Sequence, residues 1–221
     1  MHLEITSEIF QVGGSGYTAP EDAAIYLICF NGKSALVDAG CGNYFDSLYV
    51  NISECGVDPK AISYLLLTHC HYDHTGGAAA IHTQLGCKIF AHKLDAQFLE
   101  NGDNKVTAAS WYGATLTPFP VGHKISGKQT DILLGDKIIT AIHTPGHSPG
   151  SLVFLTESDG KKVLFGQDVH GPLAPDFKSD RKAYKASLAK LMSLDADILC
   201  EGHFGIYSGK DKIRRFIKSF L

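Results

Sequence analysis

The chain has 221 residues, 44% hydrophobic and 19% charged, a balance typical of a globular protein that buries a sizeable core. A net charge of -3 and a pI near 6.4 give no basic surface for nucleic acid, and no apolar run is long enough for a membrane span. Residues 1–8 do not resemble a signal peptide and the six cysteines form no Cys-x-x-Cys pair, so we expect a cytoplasmic protein with reduced thiols. We also expect one domain over 1–221 and a small-molecule substrate. The oligomeric state stays open.

The first half of the chain predicts strands and helices of an α/β domain. Apolar runs bounded by turn residues predict strands at residues 8–12, 24–30, 34–37, 62–67 and 88–91. The second and third strands are joined through Asn31-Gly32, a dipeptide typical of tight hairpins. Apolar side chains at helical spacing predict helices at residues 44–54, 78–85 and 94–100. Asp58-Pro59 predicts one further helical turn.

The stretch that follows the strand 62–67 concentrates metal-binding residue types. It places His69, His71, Asp73 and His74 within six positions, on what we expect to be a tight loop at the carboxyl end of a strand. One histidine near a strand end is usually a polar surface residue, but four such side chains crowded at a buried strand end would be costly without a cation. Neutral imidazole and carboxylate are preferred ligands of zinc and similar divalent ions. The stretch therefore predicts a metal site.

The second half of the chain predicts a further set of strands and two helices. The strands cover residues 132–134, 138–142, 152–155, 163–165 and 197–200, and the helices cover residues 180–193 and 210–220. Between the two halves, residues 101–130 give no clear pattern. They hold Trp111, the single tryptophan, beside Tyr112. Aromatic side chains there could wall a substrate pocket or pack in the core, and both interpretations stay open.

Three strands of the second half run into a residue type that binds metal ions. These residues are His147, Asp168 and His203. Each alone could be a helix cap or a turn residue, but together they repeat the arrangement of the first metal-binding stretch. The candidates then comprise five histidines and two aspartates, which is more than one zinc ion needs. Two metals bridged by a shared carboxylate would use all seven residues and leave positions for water.

These segments together resemble the metallo-β-lactamase superfamily. The order His-x-His-x-Asp-His, then His, Asp and His at strand ends, matches its pattern from the hairpin at residue 24 to His203. The segments 68–77 and 144–147 resemble the glyoxalase II-like hydrolases in particular. The resemblance implies a four-layer αβ/βα sandwich, with two mixed sheets flanked by helices and the metals at one edge.

The resemblance also implies which residues hold each metal. The first metal would be held by His69, His71 and His147, and the second by Asp73, His74 and His203, with Asp168 bridging. Asp38, which by itself could simply cap the next helix, matches the family's Asp-x-Gly and is implied to accept a hydrogen bond from a ligand histidine. The remaining histidines match no ligand position, and His170, just past Asp168, is the strongest candidate exception.

The implied function is a metal-dependent hydrolase that cleaves a small ester or thioester with metal-activated hydroxide. Two divalent ions are expected, zinc before iron or manganese, and Asp73 is the catalytic candidate because it can orient the nucleophile. Asp168 argues against β-lactamase activity, since secreted β-lactamases of this fold usually lack the bridging aspartate. Candidates for pocket residues that set the substrate are Tyr17, Trp111, Phe177, Phe204 and Tyr207.

Other functions remain open at this point. A persulfide dioxygenase-type oxidoreductase would use one iron held by His69, His147 and Asp168. A lactonase would use the same hydrolytic chemistry on a cyclic ester. A non-enzymatic metal-dependent binding module is a further alternative, but a complete ligand set with open positions is hard to explain without catalysis.

Overall fold

The computed structural model describes residues 1–221 apart from the side chain of Gln167. Within this described part, thirteen strands form two mixed sheets. The strands are β1 (Leu3–Thr6), β2 (Ile9–Gly13), β3 (Ile25–Phe30), β4 (Lys33–Val37), β5 (Ile62–Leu66), β6 (Lys88–His92), β7 (His123–Ile125), β8 (Gln129–Leu134), β9 (Lys137–His143), β10 (Leu152–Ser158), β11 (Lys161–Gln167), β12 (Ile198–Glu201) and β13 (Ile206–Ser208).

Each sheet combines antiparallel and parallel pairs. The N-terminal sheet has the order β1-β2-β3-β4-β5-β6-β7, antiparallel from β1 to β4 and parallel from β4 to β7. The C-terminal sheet has the order β13-β12-β11-β10-β9-β8. In it β11 and β12 are parallel, and the other described neighbours are antiparallel. The parallel pairs matter most for the site, because they deliver several strand ends to the same edge.

The helices cover the outer faces of the two sheets. They are α1 (Phe45–Glu54), α2 (Tyr72–Thr75), α3 (Ala78–Leu85), α4 (Lys93–Asn101), α5 (Arg181–Ser193) and α6 (Lys210–Lys218). The apolar faces of α1, α3 and α4 pack on the N-terminal sheet through residues such as Leu48, Ile81 and Leu99. Those of α5 and α6 pack on the C-terminal sheet through residues such as Leu188 and Ile213. Two single 3₁₀ turns, Pro59–Ala61 and Ala109–Tyr112, complete the helical elements of the described chain.

Alternation along the strands builds a core on both sides of each sheet. In β3, Tyr26, Ile28 and Phe30 face the space between the sheets, whereas Ile25 and Leu27 face the helices. Burying each large apolar side chain contributes about 1.5–3 kcal/mol to folding relative to leaving it exposed. The resulting layers, helices on sheet on sheet on helices, confirm the predicted four-layer αβ/βα sandwich.

Most predicted elements are present within a few residues of their expected bounds. The Asn31-Gly32 turn has φ values of 46° and 74°, as a tight hairpin turn requires. The strands β1, β7 and β13 were not predicted, because they are short and partly exposed and carry little apolar pattern. The prediction of a tight loop after β5 was wrong in part, since Asp73 and His74 lie on the short helix α2.

Two other features bear on the sequence predictions. All six cysteines of the described chain are free thiols. No helix among the described residues is both long and apolar enough to cross a membrane.

Candidate metal centre

The seven predicted ligand residues lie together at one edge of the sandwich. Hydrogen bonding joins the segments that carry them: the backbone N–H of Leu152, at the start of β10, donates to the carbonyl oxygen of Thr68, just after β5, at 2.7 Å. His69 and His71 follow β5, His147 lies between β9 and β10, and Asp168 and His203 follow β11 and β12. We call these residues, with Asp73 and His74, the His/Asp cluster.

Three histidines form the first group of the cluster. The Nε2 atom of His147 lies 3.2 Å from Nε2 of His69 and 2.9 Å from Nδ1 of His71. All three side chains are buried. Three imidazole nitrogens that converge on one point cannot all be satisfied by protons between them, because each neutral ring has one donor and one acceptor nitrogen. The convergence of nitrogen donors suits a divalent ion such as zinc.

Asp73, His74 and His203 form the second group. The Nε2 atom of His203 lies 3.1 Å from Oδ2 of Asp73, and Nε2 of His74 lies 3.8 Å from the same oxygen. Their potential ligand atoms all lie within 4.8 Å of one another. This group is the more open of the two, since the side chain of His203 is 30% exposed.

Asp168 lies between the two groups and directs one carboxylate oxygen to each. Its Oδ2 atom is 3.3 Å from Nε2 of His147 and 3.9 Å from Nε2 of His69. Its Oδ1 atom is 3.1 Å from Nε2 of His74 and 3.3 Å from Nε2 of His203. A carboxylate in this position has the geometry of a bridge between two ion sites.

The two groups differ in their electrostatics. Burial, together with the neighbouring imidazoles, holds the pKa of His69 and of His71 well below the ordinary value. In the second group burial also lowers the pKa of each imidazole, but the carboxylates outweigh it. Asp168, Asp73 and Asp38 raise the pKa of His74 well above its ordinary value, and the hydrogen bonds that the His203 ring donates to Asp168 and Asp73 raise the pKa of His203 to about 10. Without ions, His69 and His71 therefore favour the neutral form, whereas His74 and His203 hold protons beside the carboxylates.

Asp38 holds the His74 ring of the second group in place through a hydrogen bond. Its Oδ2 atom accepts hydrogen bonds from Nδ1 of His74 and from Oγ1 of Thr68, both at 2.7 Å, and Oδ1 accepts from the backbone N–H of Thr68 at 2.9 Å. The aspartate is buried, with a left-handed φ of 65°. Of the two roles considered for Asp38, the structure shows the acceptor for a cluster histidine. The contact fixes the His74 ring so that Nε2 points into the cluster.

Asp95, on α4, was not singled out from the sequence. Its buried carboxylate accepts hydrogen bonds from the backbone N–H of Cys70 at 3.0 Å, Oγ of Ser148 at 2.6 Å and the backbone N–H of Gly150 at 2.6 Å. Cys70 lies between His69 and His71, and Ser148 follows His147, so one carboxylate joins the two segments that carry the first group. A Cβ atom on Gly150 would lie 2.6 Å from the Asp95 carboxyl carbon, which explains the glycine there.

Glu201 plays a corresponding role beside the second group. Its fully buried carboxylate accepts from the backbone N–H groups of His203 at 2.7 Å and Phe204 at 2.9 Å, and pairs with Nδ1 of His170 at 2.8 Å. A glutamate at the end of an otherwise apolar strand was a signal that could have identified it. His170 lies near the cluster, as its proximity to Asp168 in sequence suggested, because a ligand atom of its ring lies within 4.8 Å of those of Asp168 and His203.

The other predicted site residues are only partly at the cluster. The ring of Phe177 lies 4.3 Å from that of His71, and exposed Trp111 lies 4.6 Å from Phe177, so these two aromatics wall the first group. Tyr17 lines a cavity of about 400 Å³ that His203 also borders. Tyr207 instead stacks on Phe216 of α6 at 4.1 Å. No potential metal group within the described chain contains a cysteine.

Comparisons with known proteins agree with the fold. The sequence profile of the metallo-beta-lactamase superfamily matches residues 19–203. The chain is 31% identical over 150 residues to a probable metallo-hydrolase of Methanocaldococcus jannaschii, with 68% of each chain covered. It is 26% identical over 245 aligned positions to the acyl-coenzyme A thioesterase MBLAC2 of Gallus gallus, covering 100% of this chain and 86% of the relative. The chain belongs to the metallo-β-lactamase superfamily.

Solved structures show the same architecture. A B3 metallo-β-lactamase with an active-site glutamic acid superposes with a TM-score of 0.83 at 23% identity, covering 98% of this chain and 86% of that chain. This similarity concerns the fold. Membership of a hydrolytic superfamily, together with the His/Asp cluster that could bind metal ions, makes the protein a metal-dependent hydrolase.

Proposed function

We propose that the protein is a dinuclear metallohydrolase that cleaves a small thioester or ester. The observation that carries the proposal is the position of Asp168, whose two carboxylate oxygens face separate groups of nitrogen ligands at 3.1–3.3 Å. A single ion would need only one of these groups. His69, His71 and His147 would hold the first ion and Asp73, His74 and His203 the second, with Asp168 shared.

The donor types favour zinc at both positions. Imidazole nitrogen and carboxylate oxygen suit zinc, and also iron or manganese, and the ligand sets leave room for water or substrate. When bound, two such ions lower the pKa of water toward neutrality and stabilise negative charge on a carbonyl oxygen.

The chain's own residues supply positioning around that chemistry. The Asp73 carboxylate can accept a hydrogen bond from the nucleophile and so orient it toward the substrate carbonyl carbon. His74 is held in place by Asp38, and the His203 segment by Glu201, so neither ring must reorganise during the reaction. The leaving group departs on the side of His203, the most exposed member of the cluster.

A thioester is the substrate class that we favour. Trp111 is 61% exposed and packs on buried Phe177 beside the first group, so it offers an apolar surface for the acyl part of a substrate. One relative that aligns with the whole of this chain carries the name acyl-coenzyme A thioesterase. Thioesters also have good leaving groups, so their hydrolysis requires little stabilisation of the leaving sulfur atom.

The proposal is tested by metal content and by a substrate panel. Protein purified without added metal is analysed for ions per chain, and thiol release from short acyl thioesters is measured with esters and lactones alongside. We expect two ions per chain, and thiol release that a chelator abolishes and zinc restores. One iron per chain with oxygen consumption dependent on a persulfide substrate would overturn the proposal.

A further inference from the structure

A row of aromatic rings leads from the second group of the cluster to the helix α6. The ring of His170 lies 5.2 Å from that of His203 and 4.7 Å from that of Phe204. Phe204 lies 6.3 Å from Phe216, which lies 5.1 Å from Phe220. We call His170, Phe204, Phe216 and Phe220 the aromatic track.

The aromatic track is not part of the closed core. Phe204 is 57% exposed, and the other three side chains are half-buried. Phe204 directly follows the proposed metal ligand His203, and its exposed ring adjoins the ring of His170. The track therefore offers flat apolar contact to a molecule that also reaches the cluster.

The helix α6 surrounds the far end of the track with positive charge. It carries the cations Lys210, Lys212, Arg214, Arg215 and Lys218 and the anion Asp211, on a chain whose net charge is -3. Lys210 and Arg214 lie on one side, where they pair with Asp195 at 2.5 Å and 2.8 Å.

Lys212 and Arg215 lie toward the track. Lys212 and Phe216 are four residues apart and share one face of α6, Arg215 lies three residues after Lys212, and Phe220 lies just past the helix end at Lys218. Within the described side chains, no ion pair is recorded for Lys212 or Arg215, and both are exposed. Two cations near the exposed ring of Phe204 and the half-buried rings beside it form a combination that can bind a nucleotide, since a ring can stack on the base while the cations contact phosphates.

We propose that the aromatic track, with Lys212 and Arg215, binds the nucleotide portion of an acyl-coenzyme A substrate whose thioester lies at the cluster. The inference rests on the proposed thioester hydrolysis and names the thiol carrier. A coenzyme A thioester has its reactive carbonyl at one end of a long flexible arm and an adenine nucleotide with three phosphate groups at the other. The row of rings between His203 and α6 gives that arm a path along the surface.

Charge complementarity selects this carrier over a small uncharged thiol. The basic face of α6 would contribute nothing to a short thioester without phosphates, whereas it meets the anionic end of coenzyme A directly. Salt should therefore weaken binding of the carrier.

The test compares two acetyl thioesters that differ only in the carrier. Hydrolysis of acetyl-coenzyme A and of the acetyl thioester of N-acetylcysteamine is measured for the metal-loaded wild type and for the double variant Lys212→Ala/Arg215→Ala. We expect the ratio of the two kcat/KM values to fall about tenfold in the variant, because charge-assisted contacts to phosphate are lost only for the coenzyme A substrate. The variant Lys210→Ala/Arg214→Ala removes the same charge from the other side of α6 and should leave the ratio unchanged.

A binding measurement separates this inference from the proposed function. Calorimetry with adenosine 3′,5′-bisphosphate, which has no thioester, should show binding to the wild type that is lost in Lys212→Ala/Arg215→Ala and weakened in Phe204→Ala. If the wild type hydrolyses neither thioester but this binding pattern holds, thioester hydrolysis is wrong and the nucleotide site stands. If both double variants change binding and the ratio equally, or neither changes them, the nucleotide site is wrong.

Discussion

The two groups of the His/Asp cluster differ in how they accommodate buried ionisable side chains. The first group, His69, His71 and His147, contains only imidazoles, is buried, and keeps the pKa of His69 and His71 low. The second group contains Asp73, borders Asp168 and Asp38, and keeps the pKa of His74 and His203 high. Without ions, His69 and His71 favour the neutral form, whereas protons on His74 and His203 balance the carboxylates of the second group.

This difference has consequences for metal binding. An ion that binds His69 and His71 meets neutral rings and has no added charge to displace from them. An ion entering the second group must replace the protons on His74 and His203, so its affinity falls more steeply as the pH is lowered. Each group is also positioned by a different buried carboxylate. Asp95 accepts a hydrogen bond from the backbone of the first group's segment at Cys70, and Asp38 accepts one from His74 of the second group. The groups can therefore be perturbed separately.

Removing the carboxylate that both groups share should have the largest effect. In Asp168→Ala, we expect the loss of about one ion per chain and a fall in turnover of at least about 100-fold, because even residues that only support ligands cost 10–100-fold when removed. Metal analysis and steady-state kinetics check this.

Cys70→Ala is the matched control for that change. Cys70 is buried between His69 and His71, and burial, together with Asp95, raises the pKa of its thiol well above the usual range, which disfavours the thiolate that a metal needs. The control should keep both ions. Loss of metal from Cys70→Ala, with full content in Asp168→Ala, would contradict the ligand assignment.

His203→Ala should affect the second group alone. The affinity for the second ion is expected to fall about tenfold or more, with the first ion retained, since no first-group nitrogen depends on this ring. Stepwise titration of the metal-free variant with zinc measures both affinities. His123→Ala, which removes an exposed histidine stacked on Phe90, should leave both affinities unchanged. Equal weakening of the two ions by His203→Ala would contradict two separable groups.

The sequence pattern predicted an α/β protein and the members of the cluster, and the resemblance to the metallo-β-lactamase superfamily supplied the four-layer arrangement. Strand ends in an α/β protein meet at one edge, and each candidate residue followed an apolar run, so pattern and chemistry agreed. The helix α2 was missed because a single turn carries no periodicity to detect. The segment 101–130 was not interpretable because its contacts are tertiary: Trp111 lies against Phe177, which is distant in sequence.

The carboxylates that accept hydrogen bonds from the cluster segments show more clearly what the sequence alone cannot predict. Asp38 was identified as one of two possibilities because it ends a strand. Asp95 was not, because its role depends on contacts with residues up to 55 positions away, and in sequence it is simply an acidic residue in the first turn of α4. A buried carboxylate with distant partners leaves no local pattern.

Asp95→Asn should weaken the first group selectively and to a smaller extent. An NH₂ group in place of Oδ2 would face the backbone N–H of Cys70 and lose the bond from Ser148, and in place of Oδ1 it would face the backbone N–H of Gly150. We expect the affinity for the first ion to fall about tenfold and the visible spectrum of the cobalt-substituted protein to change. Asp22→Asn is the matched control, because Asp22 is also buried and accepts hydrogen bonds from Thr18, Ala19 and Cys41 away from the first group. A cobalt spectrum unaffected by Asp95→Asn would show that its bonds do not position the first group.

The smallest expected effect is on how the folding stability of the metal-free protein depends on pH. A histidine whose pKa is raised by folding adds stability that is complete below its unfolded pKa of about 6.5 and is lost as the pH rises through its folded value. For His203 that value is about 10, and His74 shifts in the same direction, so stability should decline between about pH 6.5 and pH 10. His69 and His71, with lowered pKa, act the other way: the unfolded chain gains their protons first, so stability declines as the pH falls below about 6.5. Thermal unfolding after chelation should therefore show a Tm maximum near neutral pH, with a flatter alkaline side in His203→Gln. A Tm that keeps rising from pH 7 to pH 9 would contradict the raised pKa values in the second group.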